Sequence, residues 1–302
     1  MPAVSVIVVS YNAADELEGC LRSIAALPEV AADPAFAQVI VSDNGSADDS
    51  VARAKAVLPV AEVIENGANF GFAKGCNIGA ARATAPLLFF FNPDARAMPG
   101  LLANAVAYFE SHPDVDMAGA KLLDEHGNVT PSAGEFDTWW QAFLRSSAWG
   151  ELPWFRAQSN GYGLRDFDYA SERDVDLVVG AAMFIRTSVF RELGGFDERF
   201  FLYHEEIDFA HQLRDRGRRV VFLPQCVAMH KSEQGGSRQT WGKIGVLNWR
   251  QRSRRLYWIK HHGTMWYYSL SAALVARYLL YAAAIVAIIV AVRAGIHAFA
   301  PN

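Results

Sequence analysis

The sequence predicts an α/β fold with a mostly parallel central sheet, followed by a membrane helix near the C-terminus. Two observations carry this expectation. Short β-branched apolar runs alternate with helical periodicities over the first 125 residues, a pattern that implies right-handed crossovers between parallel strands. The second is Leu270 to Val292, a stretch of 23 residues whose only formal charge is Arg277.

Val4 to Ser10 is an unbroken apolar run, as expected of a strand buried on both faces. Asp15 to Leu27 reads as a helix, because Leu17, Leu21 and Ile24 recur at helical spacing. A strand over Val39 to Ser42, a helix over Asp48 to Leu58 and a strand over Ala61 to Ile64 follow. A glycine-punctuated helix covers Ala73 to Ala83, and Leu87 to Phe91 is a fourth strand. Residues 132 to 172 are rich in Trp, Phe, Gly and Ser without periodicity, and are expected as loops and short helices over the core. Order returns with a strand from Leu177 to Ile185, a helix from Glu205 to Arg216 stopped by Gly217, and a strand from Arg219 to Leu223.

Hydrophobic residues make up 52% of the 302 and charged ones 20%, an apolar surplus that the C-terminal stretch explains. As a helix that stretch is about 34 Å long, enough for a hydrocarbon core of about 30 Å. Upstream, Arg250, Arg252, Arg254, Arg255 and Lys260 mix with Trp249, Tyr257, Trp258, Trp266, Tyr267 and Tyr268. Basic residues followed by an aromatic belt suit entry from the cytoplasmic leaflet and contact with membrane lipids. The expected place is thus the inner (cytoplasmic) membrane, with the preceding domain in the cytoplasm. Arg277 is expected to snorkel towards the basic side; a helix lying on the membrane surface is the other possibility. The expected partition is a catalytic domain over 1–240, an interface segment over 241–268, a transmembrane helix over 269–293 and a tail over 294–302.

The net charge of −4 argues against nucleic acid as a partner. Cys20, Cys76 and Cys226 are far apart and have no metal-ligand spacing, which suits a reducing compartment. The start, Met1-Pro2-Ala3-Val4, lacks a basic n-region, so no cleavable signal peptide is expected.

Ligands of parallel sheets collect beyond the carboxyl ends of the strands. There the sequence places Ser10-Tyr11-Asn12, Ser42-Asp43-Asn44-Gly45-Ser46 and Asn92-Pro93-Asp94. One such string is a turn or helix cap more often than a ligand site; three at successive strand ends point to a shared rim. Asp43 is placed to accept hydrogen bonds from a base or ribose, and Asp94 suits a divalent cation. In Asn69 to Gly79, Gly71, Gly75 and Gly79 recur every four residues, which suits close helix packing. Lys74 near that helix start is a candidate for a diphosphate. Glu205, Glu206 and Asp208 crowd one helix N-terminus, where one acid would suffice for the dipole. Glu206 and Asp208 cannot face the same way, and either is a candidate general base. His230, upstream of Gly235-Gly236-Ser237-Arg238, is a candidate metal or diphosphate ligand.

Taken in order, these strings resemble the inverting family-2 glycosyltransferases, and most closely their rhamnosyltransferase-like branch. The match runs through Val6 to Asn12, Val41 to Ser46, Asn69 to Gly79, Phe91 to Asp94, Gly194-Gly195-Phe196-Asp197 and Tyr203 to Asp208, within about residues 3 to 240. The resemblance implies a nucleotide-diphospho-sugar transferase (GT-A-like) fold, with Ser10, Tyr11, Asn12, Asp43, Asn69, Gly71, Lys74 and Asn92 around the nucleotide. It implies Mg²⁺ or Mn²⁺ on Asp94 and a base among Glu205, Glu206 and Asp208, and the residue-level reading adds His230 as a candidate second ligand. By the same resemblance the donor is dTDP-L-rhamnose, with UDP- and GDP-sugars left open. The acceptor is a polyprenyl-linked or other membrane glycan in cell-envelope polysaccharide synthesis. A non-catalytic nucleotide-binding scaffold is the alternative. Two departures stand out: Asn92-Pro93-Asp94 replaces an Asp-x-Asp triplet, and Glu205-Glu206 replaces a Glu-Asp pair.

Overall fold

The computed structural model describes residues 1–156, 167–231 and 236–298. The chain divides into two compact units.

The first holds Met1–Glu135 with the described part of Gly163–Leu256. Its strands are β1 (Val4–Ser10), β2 (Ala37–Asp43), β3 (Glu62–Glu65), β4 (Leu87–Phe91), β5 (Ala95–Ala97), β6 (Val115–Leu123), β7 (Val129–Thr130), β8 (Ala133–Gly134), β9 (Arg173–Asp174), β10 (Leu177–Val178), β11 (Ala182–Arg186) and β12 (Arg219–His230). The main sheet runs β3-β2-β1-β4-β11-β6-β12-β5. Pairings from β3 to β4 are parallel, as is β6 with β12; β11 and β5 run antiparallel to their neighbours. Every residue of β1 and β4 is buried, as expected where helices cover both faces of a sheet.

Helices α1 (Ala14–Ala25), α2 (Pro28–Ala32), α3 (Ser50–Val57), α4 (Phe72–Ala81) and α5 (Leu101–Ser111) alternate with these strands. Leu17, Leu21 and Ile24 of α1 are buried in the core with Val6, Val8, Phe89 and Phe91. A Cβ on Gly75 would lie 2.7 Å from Val9, and one on Gly79 2.6 Å from Ile7. These two glycines therefore let α4 lie directly on β1.

The strand expected over Leu177 to Ile185 is interrupted. Val179-Gly180-Ala181 leaves the ladder between β10 and β11: the Val179 amide donates to Ser132, and the Ala181 carbonyl accepts from Asn92. The last strand is longer than expected, running to His230 past an irregularity between Leu223 and Val227 that contains Pro224. β6, a strand at the heart of the sheet, and α5 carry no motif and were not among the expected elements.

The second unit contains α6 (Trp139–Ser146), α7 (Pro153–Arg156) and α11 (Thr264–Ala298). The 264–292 part of α11 is long and apolar enough to cross a membrane, and none of its most apolar window is buried against protein. Short helices expected between 132 and 172 are present, and α6 packs on α11. Arg277 is paired within the protein. Its guanidinium pairs with Glu151 at 2.6 Å and donates to the Arg145 carbonyl at 2.8 Å. In chain order α8 (Thr187–Glu192), α9 (Glu205–Arg214) and α10 (Gly236–His262) precede α11, and α10 is kinked at Gly242. The Gly235 to Arg238 string falls partly outside the described residues.

Candidate active site

A cavity of about 790 Å³ opens at the carboxyl end of β4, within the range of small-molecule sites. Asn92 and Asp94 from the loop after β4, His230 from the end of β12, Gly180 from the strand break, and Tyr203, Glu205 and Glu206 around the start of α9 line it.

Asp94 and His230 are brought together by backbone register. His230 pairs with Ala95 in the β12–β5 ladder, so the residue before Ala95 meets the end of β12. The imidazole Nε2 lies 3.3 Å from Asp94 Oδ1, with both side chains largely buried.

The acidic residues owe their position to strained backbone. Tyr203 and His204 both have φ of 70°, a region that non-glycine residues seldom occupy. Burial, with the positive Arg254 and Arg250 nearby, lowers the His204 imidazole to about 4. The two left-handed residues turn the chain so that α9 begins with Glu205 and Glu206 at the cavity. Burial first, then the neighbouring Glu206 charge, pushes Glu205 well above the usual carboxylate range. Burial also raises Glu206, opposed by amides of Glu206, Ile207 and Gly180 and by the Glu205 carboxyl. Burial and mutual repulsion thus both act against full ionisation of the pair. A Cβ on Gly180 would sit 3.6 Å from the Glu206 side chain, so the strand break packs directly against that carboxyl. Asp208 is fully buried, accepts from Gln212 at 3.0 Å and does not line the cavity.

The nucleotide candidates on the other strand ends lie apart from this cavity. Asp43 Oδ2 accepts from the amides of Gly45 and Ser46 and its Oδ1 from the Ser46 hydroxyl, so the side chain organises its own turn. Asn12, at φ 48°, caps the same loop by accepting from Ala47. Ser10 Oγ is buried without a hydrogen-bond partner among the described residues, and Tyr11 beside it is half-buried. Two strand spacings, about 10 Å, separate β2 from β4. Asn69 accepts from the Gly71 amide. Gly71 has φ of 87°, and a Cβ on it would lie 2.3 Å from the Phe201 carbonyl oxygen. Lys74 is engaged by Glu198 at 3.4 Å and lies over Phe70.

Sequence reasoning missed two cationic residues of the cavity, Lys243 and Arg250. Arg250, expected at lipid phosphates, lies 4.9 Å over the Tyr203 ring. Their spacing of seven on one helix was the available signal, hidden within a generally basic stretch.

Residues 5–193 match the family described as Glycosyl transferase family 2. The chain belongs to that family. As a family-2 glycosyltransferase it is 25% identical over 275 residues to the N-acetylglucosaminyl-diphospho-decaprenol L-rhamnosyltransferase of Mycobacterium tuberculosis, covering 86% of this chain and 85% of that one. It is also 25% identical over 230 residues to the O-antigen biosynthesis protein RfbC of Myxococcus xanthus, spanning 76% of this chain and 17% of that protein. Among solved structures, S. aureus TarS superposes with a TM-score of 0.55 at 16% identity, over 93% of this chain and 72% of TarS. The mannosyltransferase PcManGT from Pyrobaculum calidifontis, in complex with GDP-Man and Mn²⁺, gives 0.54 at 18% identity, over 96% and 80%. The fold of this glycosyltransferase is accordingly GT-A-like.

Proposed function

We propose that this glycosyltransferase is an inverting rhamnosyltransferase acting on a lipid-linked saccharide in cell-envelope polysaccharide synthesis. The observation that carries the chemistry is that Glu206 and the Asp94–His230 pair line one cavity. The similarity to the mycobacterial decaprenol-linked rhamnosyltransferase supports the sugar and the acceptor class, and the resemblance of the sequence motifs supports dTDP as the carrier.

In this reading the nucleoside lies along the strand ends at Ser10, Tyr11, Asn12 and Asp43, and the diphosphate reaches Asn92 and Asp94. Asn69 and Gly71 shape the adjoining loop, and Lys74 adds positive charge at its edge. A carboxylate oxygen and an imidazole nitrogen 3.3 Å apart are donors that Mg²⁺ or Mn²⁺ accepts. Asp94 and His230 would hold such an ion, which supplies neutralisation for a departing diphosphate. Lys243 and Arg250 add charge of the same sign at the cavity wall.

Glu206 accepts the proton of the acceptor hydroxyl as that oxygen bonds to the anomeric carbon and the bond to the diphosphate oxygen breaks. A raised carboxyl pKa suits a base working near neutral pH. Glu205, buried beside it, helps to keep Glu206 raised, while Asp208 is engaged within its own helix by Gln212. The exposed apolar helix supports placement at the cytoplasmic membrane, where tethering raises the effective concentration of a membrane-bound acceptor.

The test is to incubate the full chain with dTDP-, UDP- and GDP-sugars and a polyprenyl-diphosphate saccharide, reading products by mass spectrometry. A rhamnosylated product with inverted anomeric configuration is expected from dTDP-rhamnose. Transfer from another donor alone overturns the sugar assignment.

A further inference from the structure

Residues 139 to 156 hold four of the chain's eight tryptophans. In a soluble domain such side chains would be buried, yet Trp154 is 68% and Trp149 55% exposed, with Trp140 and Leu152 exposed beside them. They are held in place by their own packing. Trp140 and Phe143 stack at 5.6 Å, Trp149 and Phe155 at 6.3 Å, and Trp154 meets Phe155 edge-on. A Thr138–Gln141 capping box starts the helix beneath them.

Two charges of this segment are neutralised locally. Arg145 pairs with Asp137, and Glu151 with Arg277. The segment also continues directly onto the apolar helix: Trp139 Nε1 donates to Ser269 Oγ at 3.1 Å, and its ring lies 5.2 Å from that of Trp266. A cluster of exposed indoles with paired charges, fastened to the entry half of a lipid-exposed helix, has the chemistry of the headgroup region, where amphipathic rings are favoured. Large exposed apolar patches mark an interaction surface.

We infer that residues 139 to 156 form a second membrane element, lying in the bilayer interface alongside α11 with Trp149, Leu152 and Trp154 among the lipids. The occupant of this face is the lipid bilayer, because the face is continuous with the helix that crosses it. The inference rests on α11 being a membrane span. It makes attachment a two-part contact, a span and a flat aromatic footing, and two contacts restrict rotation about the helix axis where one does not.

The native cysteines Cys20, Cys76 and Cys226 are all buried, so single added cysteines can be labelled selectively. An environment-sensitive fluorophore is placed by Trp149→Cys, Trp154→Cys, Ile288→Cys on α11 and Val60→Cys on the catalytic unit. Each full-length variant is reconstituted in vesicles of phosphatidylethanolamine and phosphatidylglycerol. Quenching is compared for aqueous iodide and for lipids with a spin label shallow or deep on the acyl chain. At 149 and 154, loss of most emission to the shallow label and little to iodide is expected. At 288 loss to the deep label is expected, and at 60 loss to iodide alone. Probes at 149 and 154 that behave like the one at 60, while 288 is deep, overturn this inference alone. An iodide-accessible probe at 288 overturns the span, and the inference with it.

Discussion

His230 Nε2 stands 3.3 Å from Asp94 Oδ1 because His230 ends β12 opposite Ala95, the residue that follows Asp94. Removing either donor should weaken cation use rather than folding. Asp94→Asn and His230→Ala are each expected to raise the Mn²⁺ concentration for half-maximal transfer. They are also expected to lower turnover by about 100-fold or more, given the several kcal/mol that a Lewis acid supplies. Metal titrations of initial rate check this, with chelator-treated wild type as the reference.

Glu206→Gln keeps the size of the side chain and removes the base. Transfer should fall by about 10²–10⁴-fold, the range of general-base contributions, while calorimetric affinity for the nucleotide diphosphate stays within a few fold. Wild-type turnover in this variant would remove Glu206 from the chemistry.

The adjacent glutamates also fix the sign of a pH effect. Both carboxyls are raised in the folded state, so the native chain holds protons that the unfolded chain releases above about 4.5. Their contribution to stability is most favourable below that pH and is lost as pH rises through the raised values. Thermal melts should therefore show Glu206→Gln gaining on wild type as pH increases from 5 towards 8. In the rate profile, the acid limb should lie above the ordinary carboxylate range.

Gly71 permits no side chain. With φ of 87° and the Phe201 carbonyl in the way, Gly71→Ala is expected to cost about 1–3 kcal/mol. Because Phe201 leads into Tyr203 and His204, activity should drop with the melting temperature. Chemical denaturation and a transfer assay measure the two together.

The sheet was legible where burial on both faces writes an apolar run, as in β1 and β4. It was less so where a strand is broken for the sake of the site: Leu177 to Ile185 looks continuous, and only the fold reveals that Gly180 interrupts it to face Glu206. Asp94, Glu206 and His230 were visible as polar residues at element ends. The separation of Glu206 from Asp208 followed from helical spacing, but which one meets the cavity depends on the left-handed turn at Tyr203 and His204, which neither residue type advertises. Asp43 reads in the sequence as an acceptor for a base or ribose, and the fold adds that its oxygens also hold the turn at Gly45 and Ser46. The partner of Arg277 lies 126 residues away at Glu151, beyond the reach of any local pattern.

The ladder beneath Asp94 and His230 has a consequence for how such an enzyme diversifies. Main-chain hydrogen bonds fix the distance between these two positions, and they are indifferent to the side chains elsewhere in the cavity. The stretch with Lys243, Val246, Leu247 and Arg250 belongs to a helix outside that ladder. Mutations there can reshape the cavity wall while the proposed cation-binding pair keeps its spacing, so the room offered to substrates and the position of that pair are free to evolve on separate parts of the backbone.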